Sequence, residues 1–458
     1  MSSELVEHLR DLLSLKLLVP ISRLQRTLRP SRRRTMQSFV EGMRFRRETL
    51  KWDLETRRAW ILQRLRFVLQ RAYSSTTYYR ELFDGVGFNP NSEFTFEDFG
   101  RLPILTRDEI NRAGQKLLSK PRDKEVLLQA TGGSDGVPTE VWLGPEELGW
   151  GESGQETFRH RIGVPTGSRT ALLWGHHLDP QASDTFRDRY HGFEQNQRWF
   201  DCLRMSPDVL ERYHEELTRW KPACVIAYAS ALGQLAEHVL QQGYRPTYPT
   251  HCFITGAEKL WPQHRELIQK AFSCPTHERY GARDAGGIAF QFEPWRTLHY
   301  EIDWANTFVE PETDELETSI LVTKLHADAM PIIRYRLGDV GRFPEFSNPG
   351  HPTFILHEVI GRITDRIWLP NGRWITGLQI PHMMKDYPVK EFVFSQRADY
   401  SIEIRIVPKY GFAEEHRNSI LKVVAANLPG VTISIEMVRS IERTAANKWR
   451  PVISEIKS

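Results

Sequence analysis

The sequence predicts an α/β protein: a large domain with a substantially parallel sheet, followed by a small α+β domain. Three observations carry this. Short strand-like runs alternate with helix-period runs through residues 207–287, the pattern of a parallel sheet whose crossovers are helices. Beyond about residue 360 the pattern changes to closely spaced strands around one helix, a unit of roughly 100 residues and so of ordinary domain size. At 458 residues the chain is also too long for a single compact core.

Composition narrows the function classes. A hydrophobic content of 40% and a charged content of 26% are those of a soluble globular protein. A net charge of +3 gives no reason to expect nucleic acid as a partner. Cys202, Cys224, Cys252 and Cys274 are widely spread. They offer neither metal-ligand spacing nor a disulfide framework, so a reducing, cytoplasmic setting is expected. No apolar run approaches the length of a membrane span. The stretch Leu12–Val19 is short, is interrupted by Lys16, and lacks the basic start and small-residue cleavage site of a signal peptide.

Residues 1–72 read as a helical, Arg-rich segment packing on the main domain. Arg23, Arg26, Arg29, Arg32, Arg33 and Arg34 cluster around Pro30. Two readings stand open: peripheral membrane contact through residues 22–35, or a solvated helix face. A second helical stretch follows, with Trp52, Leu54, Trp60, Ile61, Leu65, Val68 and Leu69 as its apolar face. Thr106 with Glu109 three residues on is a capping box that opens another helix.

Val126-Leu127-Leu128 reads as a strand and Glu140–Leu143 as its return. Between them lies Thr131-Gly132-Gly133-Ser134-Asp135-Gly136-Val137-Pro138-Thr139. A strand running into a loop of glycines and hydroxyls suits a phosphate cradle, because backbone N–H groups can close on oxyanions where no Cβ intervenes. It is not a Walker loop, since no Lys-Ser/Thr pair follows the last glycine. Thr170–Gly175 is a buried-strand candidate ending in His176-His177. That pair has no carboxylate or cysteine at ligand spacing, so no metal is assigned there.

Pro222–Tyr228 is a strand, followed by an amphipathic helix to Leu240 with Ser230 as its cap. Cys252–Thr255 runs into the turn Gly256-Ala257-Glu258, residues 262–272 form a helix, and Glu278–Gly281 runs into Ala282–Gly287. Ligands of parallel sheets sit at the carboxyl ends of strands. The loops after Leu128, Thr255 and Tyr280 are therefore expected to share a site. Ser319–Thr323 and Pro331–Gly341 read as strands, placing Asp339 beside Gly338 at the end of an apolar run. A carboxylate so placed either accepts sugar hydroxyls or makes a turn. Strands at 391–394 and 402–407 and a helix at about 413–427 follow, and the chain closes with Asn447-Lys448-Trp449.

In order and spacing these stations resemble the acyl-adenylate-forming superfamily, in its phenylacetate–CoA ligase and CapK-like (coenzyme F390 synthetase-like) branch. The resemblance runs from about residue 75 to the end. It implies an adenylate-forming domain over 73–360 and a small mobile lid over 361–458. It implies ATP-dependent activation of a carboxylic acid, aryl or arylalkyl in this branch, with Mg²⁺. Transfer to coenzyme A follows, with an amine as the alternative acceptor and a non-catalytic scaffold as a third reading. By the same resemblance Thr131, Gly132, Gly133, Ser134, Asp135 and Gly136 hold the ATP phosphates. Gly256, Ala257 and Glu258 border the adenine, Tyr280 and Gly281 lie against it, and Asp339 and Arg362 serve the ribose. Asp284 stands where the family places a Glu for Mg²⁺, and Lys448 is the catalytic cation. Departures are Asp135 for a usual Thr, Thr139 for a Lys found in many relatives, and Ala446-Asn447 for Ser-Gly before the lysine.

Overall fold

The computed structural model describes residues 33–119, 126–130, 139–174, 195–202, 205–362, 366–371, 374–376, 379–384, 386–442, 449 and 451–456. Helix α1 (Arg33–Glu48) leads into α2 (Leu54–Ser75). The side chain of Asp53 caps α2 by accepting from the Thr56 N–H at 2.8 Å, so Trp52 lies ahead of the helix instead of on its face. Ile61, Leu65, Val68 and Leu69 are buried, while Leu54 is exposed. Trp52 and Trp60 join Phe45, Trp150 and Trp304 in an aromatic cluster. Arg46 of α1 reaches across to Asp303, with Nη2 at 2.7 Å from Oδ2 and Nε at 3.0 Å from Oδ1.

The helix opened by Thr106 is α3 (Arg107–Ala113), and its capping box is complete. Strands β1 (Leu127–Ala130) and β2 (Glu140–Leu143) pair antiparallel, so the glycine-rich loop connects the arms of a hairpin. Helix α4 (Pro145–Arg161) follows and packs along α1.

The central sheet is built from β3 (Thr170–Trp174), β4 (Gln197–Asp201), β5 (Cys224–Ala227), β6 (Cys252–Thr255), β7 (Thr276–Ala282), β8 (Gly286–Phe290) and β9 (Tyr300–Ile302). Strands β4, β3, β5, β6 and β7 are parallel neighbours in that order. β8 and β9 extend the sheet antiparallel. Helices α5 (Pro207–Trp220), α6 (Ala229–Gln241) and α7 (Pro262–Ala271) cover one face, where Leu217, Trp220, Leu232, Leu235, Phe253 and Ile268 form one apolar core. α4 covers the other face, where Phe158 packs with Cys224, Ile226, Cys252 and Ile254.

A second, antiparallel sheet holds β10 (Thr307–Pro311), β11 (Glu317–Lys324) and β12 (Tyr335–Arg342). After β13 (Ile355–Leu356), which returns to the edge of the central sheet, β14 (Glu358–Arg362) pairs with β12. Pro331–Arg334 is not strand. Arg334 takes a left-handed φ of 49°, and its guanidinium is bound by Glu310 at 2.9 and 3.1 Å.

The remaining strands are β15 (Arg366–Trp368), β16 (Trp374–Thr376), β17 (Val389–Gln396) and β18 (Ile402–Pro408). Helix α8 (Glu414–Asn427), β19 (Ile433–Met437) and β20 (Val452–Ser454) complete the chain. Strands β19, β18, β17 and β20 form one mixed sheet. Its core, with Phe394, Ile404, Ile406, Ile420 and Val424, is separate from the others, and Trp261 of the preceding region joins it.

Candidate active site

The turn after β6 is shaped by close approach. A Cβ on Gly256 would come within 2.9 Å of the Arg279 Cγ and 3.0 Å of its Nε, so any larger residue would push the Arg279 side chain aside. Ala257 then turns the chain with a left-handed φ of 64°. Glu258 reaches sideways: its Oε2 accepts from the Ser230 N–H at 2.9 Å. Helix α6 starts at Ala229, so this carboxylate lies at its N-terminus, where amide donors lack intrahelical partners. The expected Ser230 cap is thus corrected. Ser230 sits inside the first turn, its side chain makes no cap, and the carboxylate comes from a residue 28 positions on.

Lys259, which sequence reasoning missed, ties this turn to β14. Its Nζ donates to Glu358 Oε1 at 2.8 Å and to the Ile360 carbonyl at 3.2 Å. Burial pulls the pKa of Lys259 down, and the Glu358 charge opposes the shift. The only signal in the sequence was a lysine beside a Gly-Ala-Glu turn.

Tyr280 and Asp339 meet. The Tyr280 hydroxyl donates to Asp339 Oδ2 at 2.8 Å across 59 positions of sequence. Asp339 is not at a strand end: it lies within β12, beside Gly338 at φ 83°. The pairing register shifts just beyond it, between Val340 and Gly341. Its Cα partner on β14 is Arg362, so the backbone brings those two ribose candidates side by side. Gly281 has no room for a side chain, because a Cβ would strike the Gly286 carbonyl oxygen. The strand that carries Tyr280 is thereby held tight against β8.

Asp284 is buried, and its Oδ2 accepts from the Tyr335 hydroxyl at 2.6 Å. Arg107 at the start of α3 stands 3.9 Å from the same oxygen. Neither partner was foreseen. Among the described residues no group of three or more His, Cys, Asp or Glu could hold a metal. Asp284 therefore fits Mg²⁺ only as a single carboxylate in a sphere completed by phosphate and water, which is how Mg²⁺ is commonly held with nucleotides.

The glycine-loop residues Thr131, Gly132, Gly133, Ser134, Asp135 and Gly136 lie outside the described residues, as do Lys448, His176-His177 and residues 363–365. Arg362 enters by its backbone alone. The neighbour of Lys448 is described. Trp449 is buried, its Nε1–H donates to the Phe392 carbonyl at 2.9 Å, and its ring lies 6.4 Å from that of Trp261.

No family model matches the chain. It is 22% identical over 375 residues to Protein CapK of Staphylococcus aureus, covering 80% of this chain and 82% of that protein. It is 22% identical over 320 residues to the phenylacetate-coenzyme A ligase of Pseudomonas putida, covering 67% and 70%. Its fold matches 2-hydroxyisobutyryl-CoA ligase in the postadenylation state with a TM-score of 0.69 at 19% identity, over 88% of this chain and 90% of that one. Against the thioesterification state of that ligase the TM-score is 0.53. The chain is thus similar in sequence to Protein CapK and to a phenylacetate-coenzyme A ligase, and it shares the fold of an acyl-CoA ligase.

Proposed function

We propose that this chain activates a carboxylic acid with ATP to an acyl-adenylate, releasing pyrophosphate. It then passes the acyl group to coenzyme A, releasing AMP. The observation that carries the reading is the bond between Tyr280 and Asp339, with Arg362 beside it and Lys259 fastening the Gly256–Glu258 turn to the same strand. This grouping lies towards the carboxyl ends of β6 and β7, where parallel sheets bind ligands, and supports a nucleotide site there. Tyr280 offers a face for adenine, and Asp339 offers a carboxylate to ribose hydroxyls while its second oxygen holds Tyr280. Mg²⁺, when bound through Asp284, would offset phosphate charge.

Joining a carboxylate to the α-phosphate brings two anions together, and a cation at that junction is stabilising. We assign that cation to Lys448. Trp449, seated between the C-terminal core and Trp261, supports delivery of that loop towards the β6 turn. On this reading residues 1–72 are an ancillary helical segment, 73–360 the adenylation domain and 361–458 a lid. The higher similarity to a postadenylation arrangement than to a thioesterification one supports a lid closed for the first half-reaction. Coenzyme A is the acceptor that the family favours over an amine. Arg34, within the basic stretch 22–35, is turned towards Asp328 at 3.5 Å, so a membrane role draws no support from it. A cytoplasmic setting accords with four free cysteines among the described residues.

The test is nucleotide turnover with a panel of aromatic and aliphatic acids and hydroxylamine as acyl trap. AMP together with the hydroxamate of one acid is expected. ADP in its place would mean an acyl-phosphate route and would overturn the proposal. Omitting the trap and adding coenzyme A should give the thioester, whereas a product seen only with amines would move the acceptor.

A further inference from the structure

Strands β3, β5, β6 and β7 bring four residues together at their carboxyl ends. Trp174 closes β3, Tyr228 follows β5, Gly256 follows β6 and Arg279 stands in β7. The Trp174 and Tyr228 rings lie 4.1 Å apart, and the Arg279 guanidinium is 5.3 Å from the Trp174 ring centre. The bare Gly256 lets the arginine side chain lie across the turn. Side chains alternate along a strand, so Arg279 points to the face opposite Tyr280. It thus lies on the side away from Asp339, against the Gly256 turn and the Trp174 ring.

Arg34, Arg46, Arg107 and Arg334 each have a carboxylate within reach. Arg279 has none: among the described residues nothing gives it a hydrogen bond or an ion pair. Burial and the nearby charge of Arg159 both pull its pKa down, which means that its charge is held at a cost. A desolvated guanidinium is costly unless an anion joins it, and a ring contact offsets only part of that cost. Arginine also presents a planar fork that matches a carboxylate in two places.

We propose that Arg279 receives a second anionic group, carried by the acid at the end away from the reacting carboxyl, with the body of the acid against Trp174 and Tyr228. The inference rests on the adenylation reading and sharpens it: the substrate class is dicarboxylic or otherwise doubly anionic acids. A simple aryl monoacid would bring the guanidinium no anion.

The experiment uses the full chain with Mg·ATP and matched acids: phenylacetate against its 3- and 4-carboxy derivatives, hexanoate against hexanedioate, and 4-sulfophenylacetate to separate a carboxylate from other anions. AMP formation gives kcat/KM for each. A preference of at least tenfold for one doubly charged member of a pair is expected. Arg279→Met should collapse that ratio to within about threefold, and Arg279→Lys should keep part of it. Should the variants fail to fold, the wild-type ratio decides alone. Equal kcat/KM for mono- and diacids would overturn the inference and leave adenylation standing. Equal loss on both in Arg279→Met would also overturn it, placing the guanidinium on the reacting carboxylate. Absence of AMP with every acid would sink the adenylation reading and this inference with it.

Discussion

At the scale of single residues, the site depends on contacts that span long stretches of chain. Tyr280 donates to Asp339 at 2.8 Å, and a hydrogen bond to a charged group contributes about 1.5–3 kcal/mol. Tyr280→Phe is therefore expected to lower the unfolding free energy by about 1.5–3 kcal/mol and, by releasing Asp339 from its position, to raise the KM for ATP roughly tenfold. Asp339→Ala removes the ribose acceptor as well and should cost about a further tenfold on the same scale. Steady-state AMP release at varied ATP reads both. Lys448→Ala bears on the chemical step. Loss of a cation aimed at developing charge is expected to slow adenylate formation about 100-fold or more. A loss of less than about tenfold (1.4 kcal/mol of barrier) would remove Lys448 from that role. Stopped single-turnover assays of each half-reaction should show the defect in the first and little in the second.

At the scale of elements, the N-terminal turn of α4 carries a pH-sensitive joint. His326 is buried, its ring stacks on Trp150 at 3.8 Å, and its Nε2 faces the Ala305 carbonyl at 3.0 Å. Arg64 stands 2.8 Å from Nδ1, an arrangement that suits the neutral ring with the proton on Nε2. Burial pushes the His326 pKa down to about 4, against the opposing hydrogen bond with Glu146. A lowered folded-state pKa means that the unfolded chain binds the proton more readily. The stabilising contribution is thus full above an unfolded pKa of about 6.5 and is lost as pH falls from there through about 4. Urea unfolding between pH 7 and 4 should show falling stability, and His326→Gln should flatten that slope.

The docking of α1 on α4 rests on Arg46, which is buried against Asp303 and also donates to Ser153 Oγ at 2.7 Å. Arg46→Ala strands a buried carboxylate and should cost about 3–5 kcal/mol in unfolding free energy. A loss under about 1 kcal/mol would show the pair to be exposed in solution. Elements governed by local rules were legible in sequence. The Thr106–Glu109 capping box, the strand–helix alternation from 207 to 287 and the hairpin arms around the glycine loop all follow from spacing within a few residues. What was not legible depended on partners far away. Ser230 reads as a cap until Glu258 supplies the carboxylate, and Asp339 reads as a strand end until Gly338 lets β12 bend and continue. Arg107 and Tyr335 carry no mark in sequence of their convergence on Asp284.

At the scale of the whole molecule, the described residues form four apolar cores, and the C-terminal core borrows Trp261 from the connection after β6. Trp449 sits at that seam, with His264 at 5.6 Å and Trp261 at 6.4 Å between ring centres. Trp449→Ala is expected to cost about 3–5 kcal/mol, confined to the C-terminal unit. Hydrogen exchange should quicken across 389–408 and stay unchanged in β3, β5 and β6. Quickening spread evenly over both would mean that the units unfold as one.

The Arg46–Asp303 pair also bears on how the chain is made. The two residues are 257 positions apart. A ribosome adding roughly 5–20 residues per second releases Arg46 on the order of tens of seconds before its partner. In the early part of that interval Phe45 and Trp52 have only each other and Trp60 for cover, since Trp150 comes later and Trp304 follows Asp303. Helix α1 can lie on α4 once residues 145–161 are made, but its aromatic cluster closes only with Trp304, so the nascent chain presents a partly covered, arginine-studded apolar face to chaperones for much of its synthesis.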